Sequence, residues 1–592
     1  MRVSDYICEF FKENGVEQVF VVTGGNAMWL NDSAARQGFN ITCFHHEQSA
    51  TIAADAYGRL TRKPAIAMVT AGPGSINALT GVVGGFVDSS PMIVISGQSN
   101  LLFVDYENNH PIRQFGVQGI NIEPVVKPNV KFFKTVDDPR MIAYYCEKAF
   151  FEATTGRPGP VWIDVPLDIQ RMEVQIEDLE HYSPESSTKN NLDHAILKLS
   201  ELLTESNRPL LLAGQAVSLS GARLQFVELA EKLQIPVVTS RLGIDLLEFD
   251  NDLFVGHPGN YGNRAANIAV QNADLIVAIG SRMSTATIAH STNGFGKNAK
   301  IYSVDIDTAE LEKPYPKIDF RIHSDALRFI EEALSSELPV NINKAWLEKC
   351  KNLKLSYPDV PDSYEHQKDG INTYWFTHVL SKVTPADSAV VVDTGSCFHV
   401  AAQAWKLKKG QSFLTTGGLS TMGWWPACIG AADAFGREKE IICITGDGSL
   451  QMNLQELAQL KYHNLPVKLF IFNNNGYLLI RTTQHTMMND NFFGEGPQTG
   501  VWCPDSLEIA KAYGIPSVRI DSTENLASQI EEVLNMSGPV ICEVMSQQWQ
   551  ELIPKVTSER MPDGSLIAHE FEDMAPFLPR EELEKVMSNG QA

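Results

Sequence analysis

The sequence predicts an α/β protein of three domains, each a mainly parallel sheet flanked by helices. Short apolar runs typical of buried strands recur along the chain, and most are followed by a glycine-bearing turn and a helical stretch. Polar stretches at about 171–190 and 335–368 divide this alternation into three blocks, and 592 residues are too many for one core. We therefore expect domains at 1–170, 190–335 and 365–555, followed by a tail at 556–592.

Each expected domain contains several apolar runs of strand length. They lie at 19–22, 65–69 and 92–96 in the first block, at 209–214, 235–238, 275–280 and 301–305 in the second, and at 389–393, 441–445 and 467–472 in the third. The tail has little strand character and ends in a charged helical stretch at 580–585.

The composition argues against several kinds of partner. A formal net charge of -23 would repel nucleic acid and anionic membranes. The nine cysteines include no Cys-x-x-Cys pair, and several lie in apolar runs, which indicates buried thiols in a reducing compartment. The first residues lack the apolar core of a signal peptide, and no apolar stretch approaches the roughly 18 residues of a membrane span. We expect a cytoplasmic protein that binds neither nucleic acid nor membrane.

Two polar motifs follow predicted strands of the third block. Gly446-Asp447-Gly448-Ser449 follows one strand, and Asn474 follows the next, 27 positions after Asp447. That spacing leaves room for one helix and one strand, so both motifs are expected at the carboxyl ends of parallel strands, where α/β sheets bind ligands. A carboxylate and an amide oxygen suit Mg²⁺, and glycines let backbone N–H groups approach a phosphate. Gly-Asp-Gly alone is more often only a tight turn, so the prediction depends on the combination.

This combination resembles the motifs of the thiamine diphosphate-dependent enzymes. The resemblance covers nearly the whole chain and is specifically to the acetohydroxyacid (acetolactate) synthase-like branch. It implies the three-domain fold of that family. It also implies Mg²⁺ ligands at Asp447, Asn474 and the carbonyl of Gly476, with Gly446, Gly448 and Ser449 at the diphosphate.

A second motif lies in the first block, where His46-Glu47 opens a helical stretch. Taken alone, a glutamate in the first turn of a helix is usually a surface charge favoured by the helix dipole. The motif is similar to the family's His-Glu-x-x-Ala segment, which implies that Glu47 hydrogen bonds the pyrimidine ring of the cofactor and promotes loss of the thiazolium proton. The resemblance also implies a homodimer or homotetramer with active sites between subunits.

Other residues are assigned to the same cofactor. The stretch 417–423 resembles the family's Gly-Gly-Leu-Gly-x-Met-Gly, which implies that the Ser420 carbonyl meets the pyrimidine amino group and that Met422 lies beneath the rings; an ordinary core methionine is the alternative. Gln118 is assigned to the catalytic group at the entrance of the site, with Lys131 at the branch's spacing of 13 positions. The remaining expected cofactor-binding residues are Gly24, Gly25, Gly72, Asn77, Asp393, Thr394, Gly395, Ser396, Leu479 and Ile480.

The middle block carries short motifs similar to those with which this branch binds an extended FAD, usually structural and not redox-active. The alternative is a middle domain that binds nothing, because each motif is weak singly. The expected FAD residues are Gly214, Gly256, His257, Gly259, Ser281, Arg282, Asp305, Ile306 and Asp325.

Two departures from the branch concern the acceptor. Ala286 stands where the branch has an arginine that helps to choose the acceptor ketoacid, and Thr483 stands where it has a tryptophan. Both changes predict an acceptor larger than, or different from, 2-ketobutyrate. The tail stretches 560–565 and 572–577 are more loosely similar to flavin-containing carboligases of branched-sugar biosynthesis.

We therefore expect a carboligase that decarboxylates pyruvate and transfers the two-carbon unit to a carbonyl acceptor, with a nucleotide-linked ketosugar as a candidate acceptor. Three alternatives stay open: an acetolactate synthase with pyruvate as donor and acceptor, a 2-ketoacid decarboxylase or flavin oxidase, and a catalytically inactive cofactor-binding protein. The intact Glu47 and metal ligands speak against the last.

Overall fold

The computed structural model describes residues 1–184, 191–289, 294–340, 343–561 and 566–588. In these ranges, three six-stranded sheets with flanking helices follow one another along the chain, and every strand pair within them is parallel. The predicted fold class is confirmed. Residues 185–190 and 341–342 of the expected linkers and 562–565 of the tail motif lie outside the described residues.

The first sheet has the strand order β2-β1-β3-β4-β6-β5. Its strands are β1 (Gln18–Val21), β2 (Asn40–Cys43), β3 (Ala65–Val69), β4 (Met92–Gln98), β5 (Phe132–Thr135) and β6 (Pro160–Pro166). The helices of this part are α1 (Val3–Glu13), α2 (Met28–Arg36), α3 (Glu47–Thr61), α4 (Pro73–Asn77), α5 (Leu79–Val87), α6 (Leu101–Asn109), α7 (Glu123–Val126), α8 (Ile142–Thr154) and α9 (Leu167–Gln170). The central strands β3 and β4 are buried along their whole length, as expected of a parallel sheet covered by helices on both faces.

The second sheet has the order β12-β11-β10-β7-β8-β9. Its strands are β7 (Pro209–Ala213), β8 (Val237–Thr239), β9 (Phe254–Gly256), β10 (Leu275–Ile279), β11 (Lys300–Asp305) and β12 (Phe320–His323). The helices are α10 (Asp193–Glu205), α11 (Ala216–Leu219), α12 (Arg223–Leu233), α13 (Arg264–Asn272), α14 (Thr285–Ile288), α15 (Thr308–Glu312), α16 (Ala326–Ser335) and α17 (Lys344–Ser356).

The third sheet has the order β14-β13-β15-β16-β18-β17, the same relative order as the first. Its strands are β13 (Ala389–Val392), β14 (Ser412–Thr415), β15 (Ile441–Gly446), β16 (Val467–Asn473), β17 (Ser517–Ile520) and β18 (Val540–Met545). The helices are α18 (Thr373–Val383), α19 (Ser396–Ala404), α20 (Ala427–Ala434), α21 (Asp447–Leu450), α22 (Leu457–Tyr462), α23 (Leu478–Met487), α24 (Ser506–Tyr513) and α25 (Leu526–Asn535).

The first and third domains share one hydrophobic cluster, and its centre is the contact between α3 and α20. Small residues allow the two helices to approach closely: Ala50, Ala53 and Ala54 are buried on α3, and a Cβ at Gly430 of α20 would collide with the carbonyl oxygen of Ala53. This packing fixes how the carboxyl edges of the two sheets are placed relative to each other.

The described part of the tail lies on the middle domain. Arg264 at the start of α13 donates hydrogen bonds to the carbonyls of Met574 and Pro576, at 3.0 and 2.6 Å. The Val556 N–H donates to the carbonyl of Asn260 at 2.8 Å. The tail also contains a short antiparallel pair, β19 (Ser558–Arg560) and β20 (Leu566–Ala568), and the helix α26 (Arg580–Met587), which includes the charged stretch that the sequence predicts.

None of the helices in the described ranges combines the length and the apolar character that a bilayer crossing requires.

Candidate active site

The predicted metal ligands lie together at the carboxyl edge of the third sheet. β15 and β16 pair in parallel with Gly446 opposite Phe472, so the motifs that follow the two strands meet. The Asp447 carboxylate is buried and accepts hydrogen bonds from the N–H groups of Gly448 and Gly476, both at 2.9 Å. Burial raises the pKa of Asp447 to about 6. The Asn474 side chain is buried, and its Oδ1 has no hydrogen-bond partner among the described residues.

These donors fit a divalent cation. An orphaned amide oxygen beside a buried carboxylate is costly unless a cation or a donor binds there, and both are hard oxygen ligands of the kind that Mg²⁺ takes. Arg481 fixes the loop from below, because its guanidinium donates to the Asn474 carbonyl at 3.1 Å and pairs with Glu495 at 2.6 Å. Gly476 has a φ of +129°, which favours glycine, and a Cβ there would collide with the Glu495 carbonyl.

Asp393 organises the loops around this cluster. Its carboxylate is fully buried and accepts hydrogen bonds from the Thr394 and Trp424 N–H groups and from the Thr445 and Ser449 hydroxyls, at 2.7 to 3.1 Å. The acid therefore ties the end of β13 to the β15 turn and to the loop of residues 417–423. Because all four hydrogen bonds are made within the protein, we assign Asp393 the role of positioning these three segments.

The other predicted cofactor residues of the third domain surround the same edge. Gly395 has a φ of +81° at the start of α19, with Leu479 Cδ1 at 3.9 Å from where its Cβ would be. Ser420 has a φ of +51°, which makes it one of the strained turn residues. Met422 and Leu479 are half-buried, whereas Ile480 on α23 is exposed. Ser396 begins α19, and a Cβ at Gly448 would collide with the Tyr477 ring.

Glu47 lies at the carboxyl edge of the first sheet. It is buried as the first residue of α3, whose preceding residue His46 caps the helix by accepting from the Gln48 N–H. The Asn77 side-chain amide donates to Glu47 Oε2 at 3.0 Å. A Cβ at Gly74 would lie 3.3 Å from Glu47 Oε1, so this face of the carboxylate is close to backbone.

Gln118 and the first glycine turns complete this edge. Gln118 has a φ of +62°, and its Oε1 accepts from the Asn26 amide at 3.1 Å. The backbone of Gln118 packs against Gly72, where a Cβ would lie 2.5 Å from its carbonyl oxygen. Gly24 and Gly25 lie in a neighbouring turn, the one after β1, and Gly24 packs against Thr70. Lys131 points elsewhere: its ammonium group donates to the carbonyls of Glu152 and Thr155.

Within one chain, the first and third domains are joined behind the two edges. Glu456 is buried and accepts from the His45 and His46 N–H groups, and the Ser49 hydroxyl donates to the Asn453 side chain at 3.0 Å. Among the described residues, no hydrogen bond connects Glu47 with Asp447 or Asn474. The expected pairing of these groups between subunits therefore stays a prediction.

A cavity of about 840 Å³ lies where the three domains meet. Seven of the nine predicted FAD residues line it, namely His257, Gly259, Ser281, Arg282, Asp305, Ile306 and Asp325. The other two do not line the cavity but shape its walls. Gly214 lets the end of β7 pack against the Gly280 carbonyl, and Gly256, at a φ of +141°, packs against Asn263.

The polar groups of the cavity are mostly engaged. His257 accepts from or donates to the Thr239 hydroxyl at 2.7 Å, and burial lowers its pKa to about 4, so the ring is neutral at pH 7. Arg282 lies 3.7 Å from Asp88 of the first domain. The Asp325 carboxylate caps α16 by accepting a hydrogen bond from the Arg328 N–H, so this residue also has a structural role.

Sequence reasoning missed Arg241, Phe398 and His399, which also line this cavity, whereas Tyr261 stands in the 256–262 stretch that resembles the family's FAD motif. Arg241 lies two residues after the end of β8, so its place near a strand end could have indicated a ligand site. Phe398 and His399 belong to a helix of another domain, and only the tertiary structure brings them here. Ala286 also lines this cavity, whereas Thr483 is exposed on α23 and does not line it.

Three family models match the chain: the N-terminal TPP binding domain of thiamine pyrophosphate enzymes at residues 1–119, the central domain at 196–333, and the C-terminal TPP binding domain at 393–544. The acetolactate synthase large subunit of Lactococcus lactis is 32% identical over 96% of each chain. Acetolactate synthase 2 of Nicotiana tabacum is 31% identical over 94% of this chain and 83% of its own, and the isozyme 2 large subunit of Escherichia coli is 29% identical over 94% and 97%. These matches extend across all three sheets and both carboxyl edges described above, and the chain is thus a thiamine pyrophosphate-dependent enzyme of the acetolactate synthase-like family.

Proposed function

We propose that this enzyme is a Mg²⁺-dependent carboligase that uses pyruvate as the donor and a carbonyl compound other than a 2-ketoacid as the acceptor. The observation that carries the proposal is the buried pair of Asp447 and the unpartnered Asn474 Oδ1 at one sheet edge, with Glu47 held by Asn77 at the other. Pyruvate is inferred from the relatives, which are named acetolactate synthases.

Thiamine diphosphate, when bound, supplies an acidic carbon that adds to a keto group and lets the adjacent carboxylate leave as CO₂. The residues of this chain bind and orient the cofactor. Asp447, Asn474 and the Gly476 carbonyl would hold Mg²⁺, and the N–H groups around Gly448 would face the diphosphate. Glu47 would hold a proton against the pyrimidine ring, and Asn77 keeps its carboxyl group in place.

Apolar side chains would exclude water from the reacting carbon. Leu479 lies beside Gly395 at the metal edge, and Met422 is half-buried in the neighbouring loop. Exclusion of water favours decarboxylation, because water stabilises the localised charge of the reactant carboxylate more than the delocalised charge that forms as CO₂ leaves. Ile480 is exposed in the single chain, so its part in this wall depends on a second subunit.

The acceptor is proposed to be a neutral carbonyl compound, such as a ketosugar linked to a nucleotide. Thr483 offers a small side chain where the branch has tryptophan, and Ala286 offers no positive charge where the branch has arginine. A site without a carboxylate-binding arginine loses a charge-assisted hydrogen bond to a ketoacid. This loss lowers the preference for ketoacids over neutral acceptors by about 10- to 150-fold. In the single chain Ala286 lines the three-domain cavity and Thr483 is exposed on α23, so both would border the acceptor only in the assembled enzyme. There the two small side chains would leave more room and less selectivity for ketoacids.

The cavity between the three domains is proposed to hold FAD. Its volume of about 840 Å³ lies within the range of cofactor sites, and its walls combine glycine turns with buried polar groups. The flavin would be structural and would stay oxidised on the productive path. Stoichiometric flavin reduction during turnover would instead favour an oxidase.

The test is incubation of the enzyme with labelled pyruvate and a panel of acceptors, with products identified by mass spectrometry. We expect a neutral-acceptor product to form faster than acetohydroxybutyrate when acceptors compete at equal concentrations. Thr483→Trp should shift the preference back toward ketoacids, whereas Thr486→Trp, one turn further along α23 and also exposed, should not. Acetolactate as the dominant product with every acceptor would establish the ordinary synthase, and absence of CO₂ release would contradict an enzymatic role.

A further inference from the structure

Arg241 is a cationic side chain in the three-domain cavity that lacks an anionic partner among the residues that the structure describes. It follows β8 at the carboxyl edge of the middle sheet, and its guanidinium lies over the Phe398 ring at 3.8 Å. Its Nε is buried and finds no hydrogen-bond partner within the described ranges. In the described part of the chain, Arg241 also forms no ion pair.

The nearest acid does not satisfy it. Asp88 raises the pKa of Arg241 only by long-range electrostatic attraction. The Asp88 carboxylate instead accepts hydrogen bonds from the Gly417 and Gly418 N–H groups, at 2.7 and 2.8 Å. Two other arginines, Arg59 and Arg282, already flank Asp88 at 3.9 and 3.7 Å. Burial lowers the pKa of Arg241 to about 10, so the side chain is still charged at pH 7.

A second unpartnered nitrogen faces the same space from the third domain. His399 lines the cavity and stacks on Tyr261 with ring centroids 4.0 Å apart. Its buried Nδ1 has no hydrogen-bond partner in the described part of the chain. Burial lowers the pKa of His399 to about 3, so this ring is a neutral donor or acceptor. Two unpartnered groups from two domains therefore converge on one cavity.

A buried charge without a partner is strongly unfavourable, so a native structure that keeps one usually completes the pair with a ligand. Stacking on Phe398 compensates only part of this cost, because a cation over a ring keeps its hydrogen-bond donors free. The flat guanidinium presents donors in a fork that suits phosphate or delocalised anionic oxygens.

We propose that Arg241 binds anionic oxygens of the dinucleotide in the three-domain cavity, and that His399 forms a hydrogen bond with a neutral polar atom of the same ligand. The inference rests on the proposal that this cavity holds FAD. The anionic oxygens could belong to the diphosphate or to the polar edge of the flavin ring, and the experiment separates these two sources.

The experiment is equilibrium titration of flavin-free protein with FAD, followed by flavin fluorescence. Arg241→Gln should weaken FAD binding about tenfold or more, because a charge-assisted hydrogen bond is lost. Arg241→Lys should lose less, because the charge remains without the fork. His399→Phe should lose about three- to tenfold, the value of a neutral hydrogen bond. Arg223→Gln, the same change in the same domain outside the cavity, should bind like wild type.

Titrations with ADP and with riboflavin identify the contact. If Arg241 meets the diphosphate, Arg241→Gln weakens ADP binding and leaves riboflavin binding unchanged. If it meets the flavin ring, the variant changes riboflavin binding and lowers the affinity of the bound flavin for sulfite, whose adduct is anionic. Circular dichroism of each variant checks that it is folded. If Arg241→Gln does not fold, the ligand affinities of Arg241→Lys still test the proposal.

The two hypotheses fail in different ways. A wild-type protein that binds neither FAD nor ADP contradicts the flavin proposal itself. Wild-type binding that is matched by both Arg241 variants overturns the role of Arg241 alone, and would leave the guanidinium as packing against Phe398.

Discussion

Single residues show most directly what the site needs. Asn474 presents a buried amide oxygen that has no hydrogen-bond partner among the described residues. The Asp447 carboxylate accepts from two backbone N–H groups, which leaves further lone pairs for a cation. Neither feature contributes to stability by itself, because burying unsatisfied oxygens is unfavourable. Such groups are retained where a ligand completes them.

Asp447→Asn should remove the charged metal ligand while keeping the side-chain shape. We expect Mg²⁺-dependent affinity for thiamine diphosphate to fall by at least about 10²-fold, since loss of even an outer-shell partner commonly costs 10- to 100-fold. Isothermal titration with and without Mg²⁺ measures this. Asp505→Asn, at the cap of α24 in the same domain, is the matched control. Equal affinity in the two variants would refute the metal assignment.

Asp359 provides a pH test at the junction of the middle domain with the tail. Burial raises its pKa to about 7, against the pull of the Asn263 amide and of Arg264. Because the folded-state pKa lies above that of a free aspartate, the proton stabilises the fold at low pH, and this stabilisation is lost as the pH rises through about 4 to 7. Asp359→Asn should therefore gain melting temperature over wild type near pH 8, with a smaller gain near pH 5. Asp362→Asn, at the exposed start of the 3-10 helix Asp362–His366, should show no such trend.

At the scale of elements, the sequence predicts central strands well and edge strands poorly. Runs such as β3, β10 and β15 are buried on both faces and therefore continuously apolar, so they stand out. β2 and β17 lie at sheet edges, are partly exposed and carry polar residues, which removes the apolar signal. The order of strands within each sheet depends on contacts between distant segments, which no local pattern contains.

The difference between local patterns and contacts of distant segments also explains which site residues could be predicted from the sequence. Asp447 and Asn474 stand in dense motifs at fixed distances from strands, so their meeting follows from local sequence. Arg241 and His399 are single residues without a pattern, and their proximity arises only when three domains close around one cavity. Tail contacts such as Arg264 with Met574 could not be predicted because they join segments about three hundred residues apart.

The contact of α3 with α20 makes a prediction at this scale. Gly430→Ala would place a methyl group against the Ala53 carbonyl, so the helices must separate, at about 1–3 kcal/mol of stability. Gly84→Ala is the control, because that glycine also lies in a helix and its Cβ position has its nearest neighbour at 4.0 Å. Thermal unfolding should show a lower melting temperature only for Gly430→Ala. A neutral effect would mean that the two helices adjust freely.

The whole molecule poses the question of where a complete site is assembled. Each chain carries a Glu47 edge and an Asp447 edge, and the expected assembly places the Glu47 edge of one subunit against the Asp447 edge of another. Mixing two inactive variants, Glu47→Gln and Asp447→Asn, distinguishes the arrangements. Glu47→Gln alone should retain cofactor binding and lose at least about 10²-fold in turnover.

If sites form between subunits, hybrid dimers contain one intact site. A random mixture should then recover about one quarter of wild-type activity, because half of the dimers are hybrids with one working site of two. The measurement is turnover after co-expression with two affinity tags, with each variant alone as the control. Activity that stays at the level of the separate variants would place both halves of a site in one chain.

The hydrogen bond from Val556 to the Asn260 carbonyl links the tail to the wall of the large cavity. Exchange of the Val556 amide with solvent deuterium requires this contact to open, and opening would disturb the loop that faces the ligand. A bound dinucleotide should therefore slow that exchange by the same factor by which a fixed tail tightens dinucleotide binding, since coupling between two equilibria is reciprocal. Peptide-resolved deuterium uptake around residue 556, with and without FAD, measures the coupling. The tail would thus report occupancy of a cavity that lies in another part of the chain.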